Sequence, residues 1–132
     1  MTKVNAGPGL RAKLLVVDDD PVTRQILDSR LRVSGYEVVF AADAVSAVDQ
    51  ARAESPDLIV LDLGLPGGNG ILVMDQLQRL EHLANVPVVV LTANEDARLT
   101  AVAAGAAAFV DKAEGLDRLL AEIDAHLHGS AL

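Results

Sequence analysis

Apolar residues along this chain fall into short dense runs separated by longer, spaced patterns. The run at 13–18, KLLVVD, is too brief for a helix and rich in β-branched valine, which predicts a buried strand. Similar runs at 36–40 (YEVVF), 57–62 (DLIVLD), 87–92 (PVVVLT) and 106–110 predict four more. The last is the least defined, because Ala106 to Ala108 could equally extend a helix. Between the runs lie helical stretches with their own start and stop signals. Asp20 suits the cap of a helix over 20–34 whose first residue is Pro21, where a missing N–H costs nothing, and Gly35 suits its end. Asp43 opens a second helix over 43–54, closed by Ser55 and Pro56. Residues 70–83 carry Ile71, Met74, Leu77 and Leu80 at three-residue steps, 95–104 are Ala-rich and end at Gly105, and Leu116, Leu119, Leu120, Ile123 and Leu127 form one apolar stripe on a final helix.

Five strands alternating with five helices imply right-handed crossovers and a parallel sheet covered on both faces. The predicted fold is therefore α/β: a doubly wound, flavodoxin-like sheet of five parallel strands in the order 2-1-3-4-5. In such sheets ligands bind beyond the carboxyl ends of the strands, where the strand order reverses.

Composition narrows the reading without changing the fold. A chain of 132 residues fits one domain, expected over 12–128 with a loose leader at 1–11 and a short tail at 129–132. Its formal net charge is −8, it has no run of Lys or Arg and few aromatics, so direct nucleic-acid binding is not expected. A cationic partner or a bound metal fits better. Cysteine is absent, which removes disulfides and thiolate chemistry. No apolar stretch has the length of an export signal or a bilayer span, so a cytoplasmic protein with no membrane partner is expected.

The polar residues at the strand ends carry the candidate chemistry. Strand one ends at Asp18 and Asp19, strand three at Asp62 and strand four at Thr92, while Lys112 follows strand five. Strands one and three are neighbours at the switch point, so three carboxylates from distant sequence would meet there. They cannot all stay ionised unless something positive sits among them. A hard divalent cation such as Mg²⁺ suits oxygen ligands of this kind, with Lys112 as a second positive charge and Thr92 as a hydroxyl donor. Those are the parts for phosphoryl transfer, with a carboxylate as covalent acceptor.

The set VVDDDP, LIVLDLGLPGGNG, VVVLTAN and FVDKAEG, spread over residues 13 to 127, resembles the receiver domain of two-component response regulators. That family is itself a standard instance of the 2-1-3-4-5 order, so the resemblance carries part of the topology with it. It implies that Asp62 accepts a phosphoryl group from the phosphohistidine of a sensor histidine kinase or phosphotransfer protein. Asp18 and Asp19 would hold Mg²⁺ together with Asp62 and the backbone carbonyl of Gly64, Lys112 would pair with the phosphoryl oxygens, and Thr92 would hydrogen-bond one of them. Phe109 would be an aromatic switch that turns inward as Thr92 moves. The output would be a changed surface around the fourth helix, fifth strand and fifth helix, read by a downstream effector or by a second copy in a dimer. On this reading the domain catalyses only its own phosphorylation and dephosphorylation.

The pattern departs from the family at three places. Ala113 stands where proline often follows the lysine, so a trans bond is expected after Lys112. Phe109 replaces the more usual tyrosine and brings no phenolic hydroxyl. Gly64 and Asn94 occupy the positions that tune the lifetime of the phosphoryl group. Two rival readings compete: a haloacid-dehalogenase-like phosphatase with Asp18 as nucleophile and Asp20 as acid/base, and a degenerate receiver acting as a protein-binding scaffold. Asp20 alone reads as a helix cap, and His82, His126 and His128 as surface residues, the His126 and His128 pair being weak evidence for a metal.

Overall fold

The computed structural model describes residues 12–65, 70–93 and 95–128. The expected leader at 1–11, the tail at 129–132 and Asn94 lie outside the described residues. The chain runs β1 (Lys13–Val17), α1 (Pro21–Val33), β2 (Glu37–Ala41), α2 (Ala44–Glu54), β3 (Leu58–Leu61), α3 (Gly70–Arg79), β4 (Val88–Thr92), α4 (Arg98–Ala103), β5 (Ala108–Asp111) and α5 (Leu116–His128). All neighbouring strands are parallel, in the order β2-β1-β3-β4-β5.

Alternation along the strands divides the core in two. Leu15, Val17, Ile59, Leu61, Val90 and Phe109 face α2, α3 and α4, where Ala47, Ala51, Val73, Met74, Leu77 and Ala101 meet them. Leu14, Val16, Leu58, Val60, Leu91 and Val110 face α1 and α5, where Leu27, Leu31, Leu119 and Ile123 close the other side. Burial on both faces is why these strands are continuous apolar runs instead of alternating ones.

The helix starts follow their caps. Asp20 accepts hydrogen bonds from the Val22 amide at 3.0 Å and the Thr23 hydroxyl at 2.9 Å, with Pro21 as the first helical residue. Asp43 and Ser46 form a reciprocal capping box on α2. Gly35 follows α1 at φ 95° and Gly105 follows α4 at φ 105°, values that disfavour any residue with a Cβ.

Three boundaries differ from the sequence reading by more than one residue. The helix expected over 70–83 stops at Arg79, and a separate 3-10 turn covers Glu81–Leu83. Steps of three residues slip by roughly 60° each against a 3.6-residue turn, so a straight helix could not keep its stripe on the sheet. Breaking at Leu80 (φ −81°, ψ 120°) lets Leu83 enter the core. The fourth helix begins with a 3-10 turn at Glu95–Ala97. β5 starts at Ala108, two residues later than expected, because Ala106 and Ala107 carry the chain from the Gly105 turn onto the sheet, the Ala107 amide reaching the Val88 carbonyl at 2.8 Å.

Gly70 allows α3 to begin where it does. A Cβ there would lie 2.6 Å from the Leu63 Cα, against backbone that has no rotamer to give way. Gly70→Ala should therefore destabilise the domain by about 1–3 kcal/mol, the usual cost of overpacking, as read by urea denaturation. An unchanged midpoint would show that the segment after β3 yields freely.

Candidate functional site

The alternation that builds the core also aims the acidic residues. Asp18 continues the row of Leu14 and Val16, Asp62 the row of Leu58 and Val60, and Lys112 follows Val110 on the same face. The sheet ladder extends one residue past the strands to fix them. The Asp18 amide donates to Ala41 O at 3.1 Å, and the Asp62 amide to Val17 O at 2.9 Å. Asp18 is 1% exposed and Asp62 8%, whereas Asp19 is exposed at the rim. One carboxylate oxygen from each of the three lies within 4.8 Å of the others.

Lys112 is the cation of the cluster. Its Nζ lies 3.2 Å from Asp18 Oδ2 and 3.2 Å from Asp62 Oδ2, donating a hydrogen bond to the latter. Among the described residues, three carboxylates gathered around one ammonium leave the cluster with surplus negative charge. The remaining oxygens are held by backbone: Asp18 Oδ1 accepts from the Asp20 amide at 2.9 Å, and Asp62 Oδ1 from the Gly64 amide at 2.9 Å. Asp18 Oδ2 is buried without an aligned hydrogen-bond donor, its approach to Lys112 being ionic in distance only.

Burial is the main reason the Asp18 carboxyl titrates above its usual range. The Asp20 amide and Lys112 pull it the other way, and the charge of Asp62 adds to the rise. For Lys112, burial works to lower the pKa, but the carboxylates of Asp62 and Asp18 outweigh it, and the ammonium is held above its ordinary value. A buried, underbonded carboxylate oxygen inside a ring of oxygen donors with surplus negative charge fits a hard divalent cation.

Thr92 is buried as the last residue of β4, continuing the row of Val88 and Val90 and standing opposite Asp111 in register. It thus ends the strand beside β3 while sharing its face with Phe109, not with the acidic row. Phe109 is itself buried on β5 opposite Val90, with the Arg98 guanidinium carbon 4.5 Å from its ring centre. No periodic or strand-end signal in the sequence marks Arg98. A cleft of about 190 Å³ beside Lys112, lined by Thr23, Ile26, Leu91, Gly115 and Leu116, also went unread, since it forms between α1 and the start of α5. No cis peptide bond occurs among the described residues, so the bond after Lys112 is trans as expected for alanine.

Asp20 does not serve as a proton donor here. The Thr23 hydroxyl, followed by the Val22 amide, holds its carboxyl below the usual range, the opposite of what a general acid needs. His82, His126 and His128 are exposed; His126 bonds back to the Glu122 carbonyl at 2.8 Å, and His128 stacks on Tyr36.

Comparison with known proteins agrees with this geometry. The response regulator receiver domain family matches residues 14–124. The transcriptional regulatory protein KdpE of Mycobacterium tuberculosis is 39% identical over 114 residues, covering 85% of this chain and 49% of that protein. The chain thus spans about half the length of the curated relatives it matches. A response regulator structure from Chloroflexus aurantiacus superimposes with a TM-score of 0.83 at 28% identity, covering 89% of this chain and 98% of the other. The receiver domain of a sensor histidine kinase from Pseudomonas aeruginosa, with a magnesium ion coordinated in its active-site cleft, gives 0.80 at 30% identity, covering 90% and 98%. A doubly wound sheet with clustered acidic strand ends and a facing lysine is the arrangement that the resemblance to receiver domains implies. This chain belongs to the response regulator receiver domain family. The phosphatase alternative built on Asp18 and Asp20 falls away with it.

The electrostatics of Asp18 give a directional test. A carboxyl whose folded-state pKa is raised binds its proton more tightly in the folded chain, so its contribution to stability grows as pH falls through that value and is lost on the alkaline side. Without divalent ions, Asp18→Asn should therefore be more stable than the native chain at neutral pH, by on the order of 1 kcal/mol. The gap should close as the solution is acidified through the Asp18 pKa. Thermal melts across pH that show Asp18→Asn less stable at neutral pH would contradict this assignment.

Proposed function

We propose that the domain is a phosphoacceptor switch in which Asp62 takes a phosphoryl group from the phosphohistidine of a sensor histidine kinase or phosphotransfer protein. The observation that carries this reading is the way Asp62 is held: the Gly64 amide binds one oxygen and the Lys112 ammonium the other, in a cluster with surplus negative charge. In the transfer, a carboxylate oxygen of Asp62 forms a bond to phosphorus as the nitrogen–phosphorus bond of the donor breaks. The electron pair leaves with the imidazole nitrogen, which takes a proton from solvent. No general base is needed, because the nucleophile is an anion.

Asp18, Asp19, Asp62 and the Gly64 carbonyl would hold Mg²⁺, which when bound supplies positive charge to the phosphoryl oxygens. Lys112, within reach of both buried carboxylates, pairs with a phosphoryl oxygen as charge moves outward from Asp62. The Thr92 hydroxyl then hydrogen-bonds another, and Phe109 on the same face of the neighbouring strand responds to that movement. Dephosphorylation is attack of water on the same phosphorus, so the domain turns over only its own acyl phosphate.

The output surface is the face of α4, β5 and α5, where Leu99 and Val102 are exposed apolar residues offered to an effector or to a second copy of the domain. The donor, the effector and a cytoplasmic setting all belong to this proposal. Among the described residues no helix is long and apolar enough to cross a membrane. The scaffold alternative has no site-level support, since it leaves a buried, surplus charge at the strand ends without a use.

Incubation with acetyl phosphate and Mg²⁺ should add one phosphoryl group to the native chain by intact-mass measurement, and none to Asp62→Asn. Labelling that persists in Asp62→Asn would overturn the acceptor assignment, and an unlabelled native chain would favour the scaffold. Asp19→Asn should keep the fold and weaken Mg²⁺ binding about tenfold by removing one charged ligand, as read by titration calorimetry. Unaltered affinity would remove Asp19 from the ligand set.

A further inference from the structure

We infer that Arg98 is a positioning residue that holds the Phe109 ring inward and so ties the seating of α4 to the phosphoacceptor site. Three observations carry this. Phe109 is 3% exposed, packed on the α3 and α4 side of the sheet. The guanidinium of Arg98 lies over its ring, 4.5 Å from the centre, close enough for a cation on the negative face of the aromatic system. And α4 is otherwise lightly fastened: it spans only Arg98–Ala103, Ala101 is its one fully buried residue, and Leu99 and Val102 point away from the core.

A phenylalanine at this position has no hydroxyl to anchor it, so any polar restraint must act on the ring face. Arg98 supplies that restraint from the first residue of the helix that would have to move if the ring turned out. Arg98 as a residue is partly buried, and a cation–π contact gains strength with partial desolvation. Ring and helix therefore shift together or not at all. Thr92 shares the ring's face and lies two register steps beyond the Val90 and Phe109 pair, so a hydroxyl drawn towards Asp62 feels the same packing. Coupling to the site rests on the phosphoacceptor reading above, whereas the ring contact does not.

The chain contains only two phenylalanines, Phe40 and Phe109, which makes the ring directly observable. With ring-labelled phenylalanine, and Phe40→Leu to assign the signals, Phe109 should be shielded from a soluble paramagnetic probe in the native chain. In Arg98→Ala the outward population should grow about threefold to tenfold, the range set by a partly desolvated cation–π contact. Arg98→Lys should restore part of the shielding, and Phe40 on β2 should not change. Phe109 signals unmoved in Arg98→Ala would overturn the inference. If Phe40 moves as well, Arg98→Gln decides, and native-like shielding of Phe109 in that variant would overturn it equally.

The coupling is read separately with Mg²⁺ and beryllofluoride, which mimics the phosphoryl group. Arg98→Ala should bind it with apparent affinity weakened in proportion to the fall in the inward fraction read from the ring signals, because only the inward state is competent. Native-strength binding by Arg98→Ala would overturn the coupling. Failure of the native chain to bind beryllofluoride would overturn the phosphoacceptor reading and the coupling with it, but not the ring contact, so the two failures are distinguishable.

Discussion

Two carboxylates just past the ends of adjacent strands, Asp18 after β1 and Asp62 after β3, are buried side by side with one ammonium between them. Every other feature of the site depends on this crowding. Like charges placed so close in a low-dielectric setting repel, and burial has already pushed the Asp18 carboxyl upward. Lys112 offsets part of the repulsion, but the exposed Asp19 adds a third negative charge. The folded domain thus holds an unfavourable arrangement that a bound divalent cation would relieve, and in the proposed function that relief would couple metal, phosphoryl group and conformation.

The sheet makes the crowding possible. Parallel register places Leu14 opposite Leu58 and Val17 opposite Leu61, so β1 and β3 end level with each other. One further ladder hydrogen bond on each strand carries Asp18 and Asp62 just past the edge, still facing the α1 and α5 side. A slip of one residue in either strand would turn its carboxylate to the other face. The apolar rows beneath them prevent that slip, because Val16 and Val60 would have to leave the core at the same time. Site geometry is therefore held by core packing more than by contacts within the site.

The same logic explains how much could be read from residues alone. Asp18, Asp62 and Thr92 close apolar runs, and a strand end is a position that a run of Val and Leu defines sharply. Lys112 follows the same rule one residue beyond β5. Caps such as Asp20 and Asp43 were legible because a short oxygen-bearing side chain ahead of a helix has few other uses. The end of α3 was not, since it turns on whether Leu80 or Leu83 enters the core, a choice made by the sheet and not by local preference. Nor was the need for glycine at 70, which arises from the approach of the Leu63 backbone. Arg98 was invisible for a related reason: its contact with Phe109 crosses the Gly105 turn, and no periodicity links a helix start to a residue on the following strand.

The curated relatives are about twice as long as the stretch that matches, so the receiver domain is one part of those proteins. In the proposed function, what the domain contributes is a charge-driven change at one end of the sheet. The most direct test of that account replaces Mg²⁺ by paramagnetic Mn²⁺ and follows backbone amide signals by NMR. Selective loss at the ends of β1 and β3, from Asp18 and Asp19 through Asp62 to Gly64, with Lys112 next, is the predicted result. Uniform broadening, or loss centred on another acidic surface such as that of Glu114 and, on α5, Glu122, would contradict it.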